Sequence, residues 1–256
     1  MKSYILITGV AGNIGSYLAL SLLNRKYNII GIDNFLTGKK EKLPNATYKN
    51  FKFIFGDVNN KNKISNIFRS YKIKFVFHFA AVVGVQRTQE FPLKVMNDID
   101  GIKNLLDLSV KNKVKRFFYS SSSEVYGEPV KLPLQEENSP LNSKLPYSVV
   151  KNVSENYVKI FQEEFNLNYT IFRFFNTFGP NQSEDFVIPK FVKLALSNLP
   201  IPIYGDGLQT RTFLYIDDNI DTIINCFEKN LYINDILNVG SDKQFRIINL
   251  AKKIIK

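Results

Sequence analysis

The sequence is poor in the residues that build disulfides and metal sites. Its 256 residues include one cysteine, one histidine and no tryptophan. Cys226 has no partner for an internal disulfide, and together with His78 it falls short of the ligand set of a structural zinc site. We therefore expect a reducing compartment, which places the protein in the cytoplasm, and no bound metal.

Long apolar runs are also missing. No stretch approaches the roughly 18 uninterrupted apolar residues of a membrane span, and the apolar segment from Tyr4 to Ile7 is too short for a signal peptide. We predict no membrane partner. Hydrophobic residues make up 45% of the chain and charged residues 22%, which is typical of a globular protein and excludes disorder as a description of the whole.

The charge of the chain is unbalanced. Lysine and arginine number 34 against 23 aspartates and glutamates, which gives a net charge of +11. Such a surplus permits an anionic partner. The lysines are scattered among asparagines, however, as from Asn59 to Lys63, and this indicates a solvated surface. Because no RNA-binding or helix-turn-helix signature is present, we expect no nucleic-acid partner.

Short β-branched or aromatic runs alternate with segments of helical periodicity. This alternation predicts an α/β fold, a Rossmann-type doubly wound parallel sheet. From about Pro180 the alternation gives way to a pattern rich in proline and glycine, which indicates a smaller C-terminal substrate lobe. We predict a Rossmann domain over residues 1–179 and the lobe over residues 180–256, with strands and helices that can interleave between them. The predicted segments are strands at Ser3 to Thr8, Asn28 to Ile32, Phe51 to Phe55, Lys74 to Ala80, Lys115 to Ser120 and Tyr169 to Phe174, and helices at Ile14 to Arg25, Pro92 to Lys111 and after Tyr147.

Three glycines follow the first predicted strand and open the first helix. Gly9, Gly12 and Gly15 have the spacing Gly-x-x-Gly-x-x-Gly. Glycines at such a turn let the backbone approach a pyrophosphate, and the helix N-terminus offers N–H groups and a positive dipole. A turn that only needs positive φ is the structural alternative, but the position between strand and helix favours a dinucleotide site.

Asp33 lies about 20 residues beyond the glycines, where a carboxylate accepts hydrogen bonds from the adenosine ribose. This position favours NAD, because the carboxylate repels the 2′-phosphate of NADP. A turn-initiating aspartate is the alternative. The segment after it contributes Asn34, Phe35 and Gly38 to the predicted cofactor site.

Tyr147 and Lys151 are four residues apart, so they share one face of a predicted helix. A tyrosine of ordinary pKa near 10 is a poor base at neutral pH. A lysine ammonium and an adjacent nicotinamide cation stabilise the phenolate and allow it to remove a hydroxyl proton. The pair becomes informative only because it lies downstream of the glycine motif.

Further short segments complete the pattern. They are Asp33-Asn34, Gly56-Asp57-Val58, His78-Phe79-Ala80-Ala81, Asn97, Ser120 to Gly127, Arg173-Phe174-Phe175-Asn176, Gly179-Pro180 and Gln209-Thr210-Arg211. With the glycine motif and the Tyr/Lys pair, these segments make the sequence resemble the extended short-chain dehydrogenase/reductases, in particular the NAD-dependent epimerases and dehydratases that act on nucleotide-diphosphate sugars. The resemblance covers essentially the whole chain.

The resemblance implies roles for individual residues. The residues placed around NAD are Asn13, Ile14, Asp33, Asp57, Val58, Phe79, Ala80, Ala81 and Asn97, with Tyr147 and Lys151 reaching the same cofactor and Phe175 bordering its nicotinamide. Ser122, Tyr147 and Lys151 are implied to be catalytic. Ser122, Asn176 and Arg211 are implied to contact the nucleotide-sugar substrate; for Arg211 an ion pair within the protein is the alternative.

The implied chemistry is transient oxidation of the sugar at C4. We favour a UDP-glucose 4-epimerase-like reaction, with a 4,6-dehydratase or a UDP-glucuronate decarboxylase as the alternative. The residues that distinguish these reactions are Ser122, Ser123 and Glu124. Dehydratases of 6-deoxysugars typically carry Asp-Glu where this chain has Ser123-Glu124. Glu124 is either a base toward C5 or a structural carboxylate.

Two expectations concern the chain as a whole. Family members are normally longer, so we expect a short or truncated substrate lobe. Many relatives pair through two long helices, here about Pro92 to Lys111 and Tyr147 to Asn166, and this implies a homodimer. A non-catalytic dinucleotide-binding regulator is the remote alternative, although such regulators commonly lose the tyrosine or the lysine.

Overall fold

The structure is a computed structural model that describes residues 2–180 and 182–256. Strands and helices alternate along most of the chain, as the sequence pattern predicts. The strands are β1 Ser3–Thr8, β2 Ile29–Asp33, β3 Phe51–Phe55, β4 Lys72–His78, β5 Arg116–Ser122, β6 Tyr169–Phe174, β7 Asn176–Phe178, β8 Thr210–Tyr215, β9 Asp235–Val239 and β10 Gln244–Arg246. The α-helices are α1 Asn13–Asn24, α2 Lys61–Ser70, α3 Val85–Glu90, α4 Pro92–Met96, α5 Asp98–Lys111, α6 Pro146–Phe165, α7 Val187–Leu196, α8 Ile216–Glu228 and α9 Ile247–Ile255.

Seven of these strands form one sheet in the order β3-β2-β1-β4-β5-β6-β9, and every described pairing in it is parallel. The predicted α/β class with a doubly wound parallel sheet is thereby confirmed. Chain order reverses between β1 and β4, where Thr8 pairs with His78. Ligands of such sheets bind outside the carboxyl ends of the strands at this reversal.

Each face of the sheet is covered by helices. On one face the apolar residues of α1 and α8, such as Leu18 and Ile220, form a core with Phe77 and Phe118 of the sheet. On the other face α2, α5 and α6 cover a second core. Burial on both faces explains why the central strands are apolar along their whole length rather than alternating.

The remaining strands build a smaller sheet in the order β10-β8-β7. With α7 and α9 it encloses a separate small core around Phe191 and Leu250. The chain then crosses back, because β9 pairs with β6 in the large sheet and α8 packs on α1. Elements from both sides of residue 180 therefore share the large sheet, and the division into domains at that position stays a prediction.

Several predicted boundaries need correction. The single helix predicted over Pro92 to Lys111 is two helices, α4 and α5, joined at Asn97. The strand predicted at Lys74 to Ala80 begins and ends two residues earlier. The polar segment around Asn60 begins α2, with the Asn60 side chain accepting a hydrogen bond from the Lys63 backbone N–H at 3.0 Å. An asparagine at the N-cap is a local signal for the start of α2, and this signal is not visible in the composition of the segment.

Within the described residues, no helix has the length and apolar character needed to cross a membrane.

Candidate active site

The first glycine turn lies at the carboxyl end of β1, against the loop that follows β4. Gly9 has φ +70°, and a Cβ at this position would lie 2.7 Å from the Ala80 backbone nitrogen. A Cβ at Gly15 would lie 2.2 Å from the Gly9 carbonyl oxygen. The two glycines thus allow the turn, the β4 loop and the start of α1 to approach one another closely.

The N-terminus of α1 is open toward this turn. Gly12 precedes the helix and provides no side-chain cap, so the first N–H groups, including those of Asn13 and Ile14, have no partner within the helix. The Oδ1 atom of Asn13 is buried without a hydrogen-bond partner among the described residues. The uncapped N–H groups at the helix start suit the phosphate oxygens of a dinucleotide. The unpaired amide oxygen of Asn13 suits a hydroxyl that donates a hydrogen bond.

Asp33 is buried at the end of β2 and holds the same turn together. One carboxylate oxygen accepts a hydrogen bond from the Ala11 backbone N–H at 2.9 Å, and the other accepts one from the Phe35 N–H at 2.8 Å. The turn-initiating role and the ribose-binding role are therefore compatible, since each carboxylate oxygen keeps a free lone pair.

The predicted residues after β2 and β3 meet one another. The Asn34 side chain donates to Asp57 at 3.0 Å, and Asp57 also accepts from the Asn59 backbone N–H at 2.8 Å.

Phe35 stacks on Phe53 and on Phe55. The Phe55 ring is 61% exposed, so it does not belong to the sheet core, although it alternates with Phe51 and Phe53 along β3. A Cβ at Gly38 would meet Ala11 at 2.9 Å, and Val58 is buried nearby in the second core.

Thr8 connects the glycine turn to the β4 loop. Its Oγ1 lies 2.8 Å from His78 Nδ1 and accepts hydrogen bonds from the N–H groups of Phe79 and Ala80 at 3.1 Å. Burial lowers the pKa of His78 to about 3, with the positive charge of Lys151 as a second cause. His78 is therefore neutral at physiological pH and serves as a hydrogen-bonding residue at the end of β4. Ala81 follows in the same loop, half-buried.

Ser122, Tyr147 and Lys151 come together at the carboxyl end of β5 and the first turns of α6. The Ser122 side chain lies close enough to the Tyr147 hydroxyl to lower its pKa. Lys151 is 4% exposed; its Nζ donates to the Ser120 carbonyl at 2.6 Å and lies 5.6 Å from the centre of the Tyr147 ring. The predicted catalytic set is thus assembled from two elements far apart in sequence.

The charges of this set are strongly influenced by burial. Burial raises the pKa of Tyr147 to about 12, although the nearby Ser122 side chain lowers it. Burial lowers the pKa of Lys151 to about 8, although the carboxylates of Asp98 and Glu155 raise it. Without a further positive charge, the phenol keeps its proton at neutral pH and Lys151 is mostly an ammonium.

Ser123 and Glu124 lie in the short 3₁₀ turn Ser123–Tyr126 that follows β5. The Glu124 backbone N–H donates to Ser122 Oγ at 3.2 Å. The Glu124 side chain is exposed, and its charge is close enough to raise the pKa of Tyr147. Both roles that the sequence leaves open for Glu124 are compatible with this position.

Two predicted cofactor residues lie in neighbouring segments. Asn97 is the exposed residue between α4 and α5 and has helical φ and ψ. The backbone N–H of Phe175 donates to Val239 at 2.9 Å, and a Cβ at Gly240 would lie 2.8 Å from the Phe175 ring. Neither residue has a contact that identifies a ligand.

Asn176 and Arg211 line one cavity of about 380 Å³ beside the small sheet. Its walls are largely aromatic and aliphatic. The Asn176 amide donates to the Thr212 carbonyl at 3.0 Å, and Arg211 is exposed, with a hydrogen bond to the carbonyl of its neighbour Thr210 at 2.8 Å. Arg211 has no ion pair among the described residues, so the alternative of an internal ion pair is not realised. The cavity lining does not include Ser122, Tyr147 or Lys151.

Sequence reasoning missed the charged residues behind the catalytic set. Glu155 and Arg173 form a buried ion pair at 2.7 Å, with exposures of 1% and 2%. The Ser121 hydroxyl also donates to Glu155. A signal existed, because Tyr147, Lys151 and Glu155 follow one another at intervals of four on one helix face. Asp98 carries no comparable signal.

The sheet order and the glycine turn define a dinucleotide-binding α/β protein. The model of the NAD dependent epimerase/dehydratase family matches residues 5–240, and the chain belongs to this family. It is therefore an NAD-dependent enzyme, and the expected family and cofactor are confirmed; a non-catalytic regulator is excluded.

Relatives with different activities are about equally similar. UDP-N-acetyl-alpha-D-glucosaminuronate decarboxylase of Bacillus cytotoxicus is 33% identical, over 99% of this chain and 80% of its own length. Human dTDP-D-glucose 4,6-dehydratase is 32% identical, over 98% and 73%. The crystal structure of UDP-glucose 4-epimerase from Thermotoga maritima with UDP-glucose superposes with a TM-score of 0.92 at 31% identity, over 98% of this chain and 81% of that one. These similarities establish the family and leave the particular reaction open.

Proposed function

We propose that this enzyme is a nucleotide-diphosphate-sugar epimerase that acts by transient oxidation at sugar C4. One observation carries the proposal: the Ser122 side chain and the buried Lys151, whose Nζ lies 5.6 Å from the centre of the Tyr147 ring, both lie beside this phenol. The phenolate form of a tyrosine beside a hydroxyl and an ammonium is suited to take the proton of a sugar alcohol.

The chain supplies proton transfer and orientation. NAD, when bound, supplies the acceptor for the hydride that leaves C4 and its donor on return. The Tyr147 phenolate takes the proton of the C4 hydroxyl, and Ser122 holds the sugar oxygen through its hydroxyl. The Lys151 ammonium stabilises the phenolate. The proton goes back to the oxygen in the reverse step, so the enzyme ends each turnover in its starting protonation state.

The cavity with Asn176 and Arg211 is the proposed place of the nucleotide diphosphate. Its apolar walls suit a base and a ribose, while the exposed guanidinium of Arg211 suits a diphosphate, which a planar arginine binds with two parallel hydrogen bonds. The known complex of a relative with UDP-glucose supports this class of substrate.

A lyase activity is the second candidate, and Glu124 is the observation that favours it. Its carboxylate lies near enough to Tyr147 to change the pKa of the phenol, so a base toward C5 is available. Against it, Ser123 provides no acid where dehydratases of 6-deoxysugars typically have aspartate. We therefore favour epimerisation, which needs no C5 base.

Incubation in deuterated water distinguishes these reactions. The purified enzyme is given UDP-, dTDP-, GDP- and CDP-sugars, and products are read by NMR and mass spectrometry. Inversion at C4 without deuterium supports the proposal. Deuterium at C5 with loss of water identifies a dehydratase, and release of carbon dioxide from a uronic acid identifies a decarboxylase; either result overturns it.

Replacing the proposed base gives the first prediction. Tyr147→Phe removes the hydroxyl and keeps the ring, so we expect turnover to fall by about 10²- to 10⁴-fold with NAD still bound. Steady-state kinetics and the NAD content of the purified variant measure the two effects. Tyr157→Phe on the same helix is the matched control and should retain activity. Full activity in Tyr147→Phe contradicts the assignment.

We also propose a homodimer formed through the faces of α5 and α6. These helices pack side by side, and α6 exposes an isoleucine, Ile160, at 45%. Sedimentation velocity tests the proposal: the wild type should sediment as a dimer and Ile160→Lys as a monomer. A monomeric wild type at micromolar concentration refutes it.

A further inference from the structure

A row of polar side chains crosses the large sheet near the carboxyl ends of its strands. Ser121 of β5 pairs with Arg173 of β6, which in turn pairs with Asn238 of β9. Residues paired across neighbouring strands project to the same face of a sheet, so these three side chains share one face. The carboxylate of Glu155 binds both Ser121 and Arg173, which shows that this is the face covered by α6.

Arg173 is the centre of the row, because all three nitrogens of its guanidinium have partners. Its Nε and Nη2 atoms donate to the two oxygens of Glu155 at 3.0 and 2.7 Å. Its Nη1 atom donates to the Tyr126 hydroxyl at 2.9 Å and to the Glu136 carbonyl at 3.0 Å. The Tyr126 hydroxyl in turn donates to the Asn238 side chain at 2.8 Å. The guanidinium therefore binds α6 on one side and the turn after β5 on the other.

These bonds hold both ends of the short segment that leads out of β5. At its start, the Ser121 hydroxyl donates to the Glu155 carboxylate that Arg173 binds. At its end, Tyr126 is the last residue of the 3₁₀ turn and accepts a hydrogen bond from the guanidinium itself. The residues between these two points are Ser122, Ser123, Glu124 and Val125. One buried cation thus fixes this segment on both sides of the proposed oxygen-binding hydroxyl.

The same bonds dock α6 on the end of β5. Lys151 Nζ donates to the Ser120 carbonyl at 2.6 Å, and Glu155, one turn further along α6, accepts from Ser121. Two successive residues of the strand are therefore bonded to two successive turns of the helix. Tyr147 lies one turn before Lys151 on α6. Its position relative to the end of β5 consequently depends on these contacts.

We propose that Arg173 is a positioning residue for the proton transfer. Through its bonds to Glu155 and Tyr126, it keeps the Ser122 hydroxyl in place at the end of β5. The hydroxyl thereby stays beside the Tyr147 phenol. The proposal rests on the proposed function, since it concerns the placement of the same two hydroxyl groups.

A positioning role affects the reaction step more than binding. A misplacement of reacting groups by about 1 Å is enough to lower a rate about a hundredfold. The proposed nucleotide contacts, Asn176 and Arg211, lie in a cavity whose lining includes no member of the Arg173 network. Weakening the network should therefore lower kcat and leave KM unchanged.

The test removes single hydroxyl groups and leaves the ion pair of Arg173 and Glu155 in place. Tyr126→Phe breaks the bond between the guanidinium and the end of the turn, and Ser121→Ala breaks the bond between Glu155 and β5. We expect each variant to lower kcat about ten- to hundredfold. KM and the NAD content of the purified enzyme should equal those of the wild type.

Two matched controls report the general effect of losing a hydroxyl in the interior. Tyr169→Phe changes a buried tyrosine at the opposite end of β6. Ser109→Ala changes a buried serine of α5 whose hydroxyl has no partner among the described residues. Both controls should keep the kcat of the wild type.

Tyr126→Phe is decisive, because it removes a partner of the guanidinium itself. An unchanged kcat in this variant overturns the proposal, and so does an equal loss in Tyr169→Phe. If Tyr126→Phe does not fold, Ser121→Ala decides by the same criteria, with Ser109→Ala as its control.

Backbone hydrogen exchange tests the network without a sugar. In the NAD-loaded enzyme, we expect the amides of residues 122–127 to exchange about tenfold faster in Tyr126→Phe than in the wild type or Tyr169→Phe, as measured by mass spectrometry. Equal exchange rates overturn the proposal. An enzyme that turns over none of the nucleotide sugars contradicts the proposed function, while the exchange rates still decide whether Arg173 holds this segment.

Discussion

Two arginines illustrate how differently the two sides of the site are built. Arg173, in the large sheet, is 2% exposed and donates to Glu155, to the Tyr126 hydroxyl at 2.9 Å and to the Glu136 carbonyl at 3.0 Å. Arg211, beside the small sheet, is exposed and donates to the Thr210 carbonyl. The same side chain is saturated with protein partners in one place and available to a ligand in the other.

The difference extends to the surroundings of each arginine. At the carboxyl edge of the large sheet, polar groups such as Thr8, His78, Ser121 and Lys151 are buried, and each has a hydrogen-bond partner within the protein. Around Arg211 the cavity is open and lined by apolar walls. A site that keeps its cofactor benefits from a fixed polar framework, whereas a site for a substrate that must leave again benefits from accessible groups.

The largest expected effect comes from breaking the buried pair. Arg173→Met leaves the Glu155 carboxylate buried without its cation, and we expect the free energy of unfolding to fall by about 3–5 kcal/mol. Urea denaturation measures it. Arg211→Met, the same substitution at the exposed position, should leave stability within about 0.5 kcal/mol of the wild type. Equal losses in both variants would remove the distinction between the two regions.

The converse prediction concerns binding. Arg211→Met removes the proposed partner of the diphosphate, so we expect affinity for UDP or dTDP to fall about ten- to hundredfold, which corresponds to about 1.5–3 kcal/mol for bonds to a charged group. Calorimetric titration with each nucleotide measures this. Gln209→Ala, at the rim of the same cavity, controls for a general disturbance. Unchanged affinity in Arg211→Met would show that the diphosphate lies elsewhere.

The smallest expected effect is a change in how the free energy of unfolding depends on pH, and it tests whether the buried polar groups keep His78 neutral. Because the pKa of His78 is lowered to about 3, the unfolded chain binds a proton below pH 6.5 that the folded chain does not. The stability contributed by neutral His78 is therefore present above pH 6.5 and decreases as the pH falls. Between pH 6 and 5, the wild type should lose about 1 kcal/mol more than His78→Gln.

Asp98 makes the free energy of unfolding increase as the pH falls through this range, because burial raises its pKa in the folded state to about 6. This contribution is present in the wild type and in His78→Gln, so it cancels when the two proteins are compared. Identical slopes of the two denaturation series would show that His78 is protonated in the folded state.

The features that sequence reasoning predicted well depend on neighbours in the chain. The glycine turn, the start of α1 and the spacing of Tyr147 and Lys151 are local patterns, and the structure has them at the predicted positions. Elements after residue 180 were not predicted individually. There β8 and β9 lie in different sheets although they are close in sequence, and local propensity contains no information about that choice.

Burial was the quantity that sequence reasoning could least predict. Lys151 is identified by its spacing, yet its lowered pKa arises from burial, which only the folded chain provides. Phe51, Phe53 and Phe55 alternate along β3 in the pattern of a buried face, yet Phe55 lies on an edge strand and is exposed. A pattern reports which side of an element a residue occupies, while only packing decides whether that side is covered.

The amino-acid sequence by itself determined the parallel sheet, the dinucleotide turn and the identity of the proton-transferring tyrosine and lysine, because each follows from the order and spacing of adjacent residues. Tertiary structure alone decided that Arg173 forms an ion pair with Glu155 and that Asn176 and Arg211 line one cavity. Electrostatic interactions and solvent exclusion act over a few ångströms in space, and chain positions far apart in sequence reach that range only when the protein is folded.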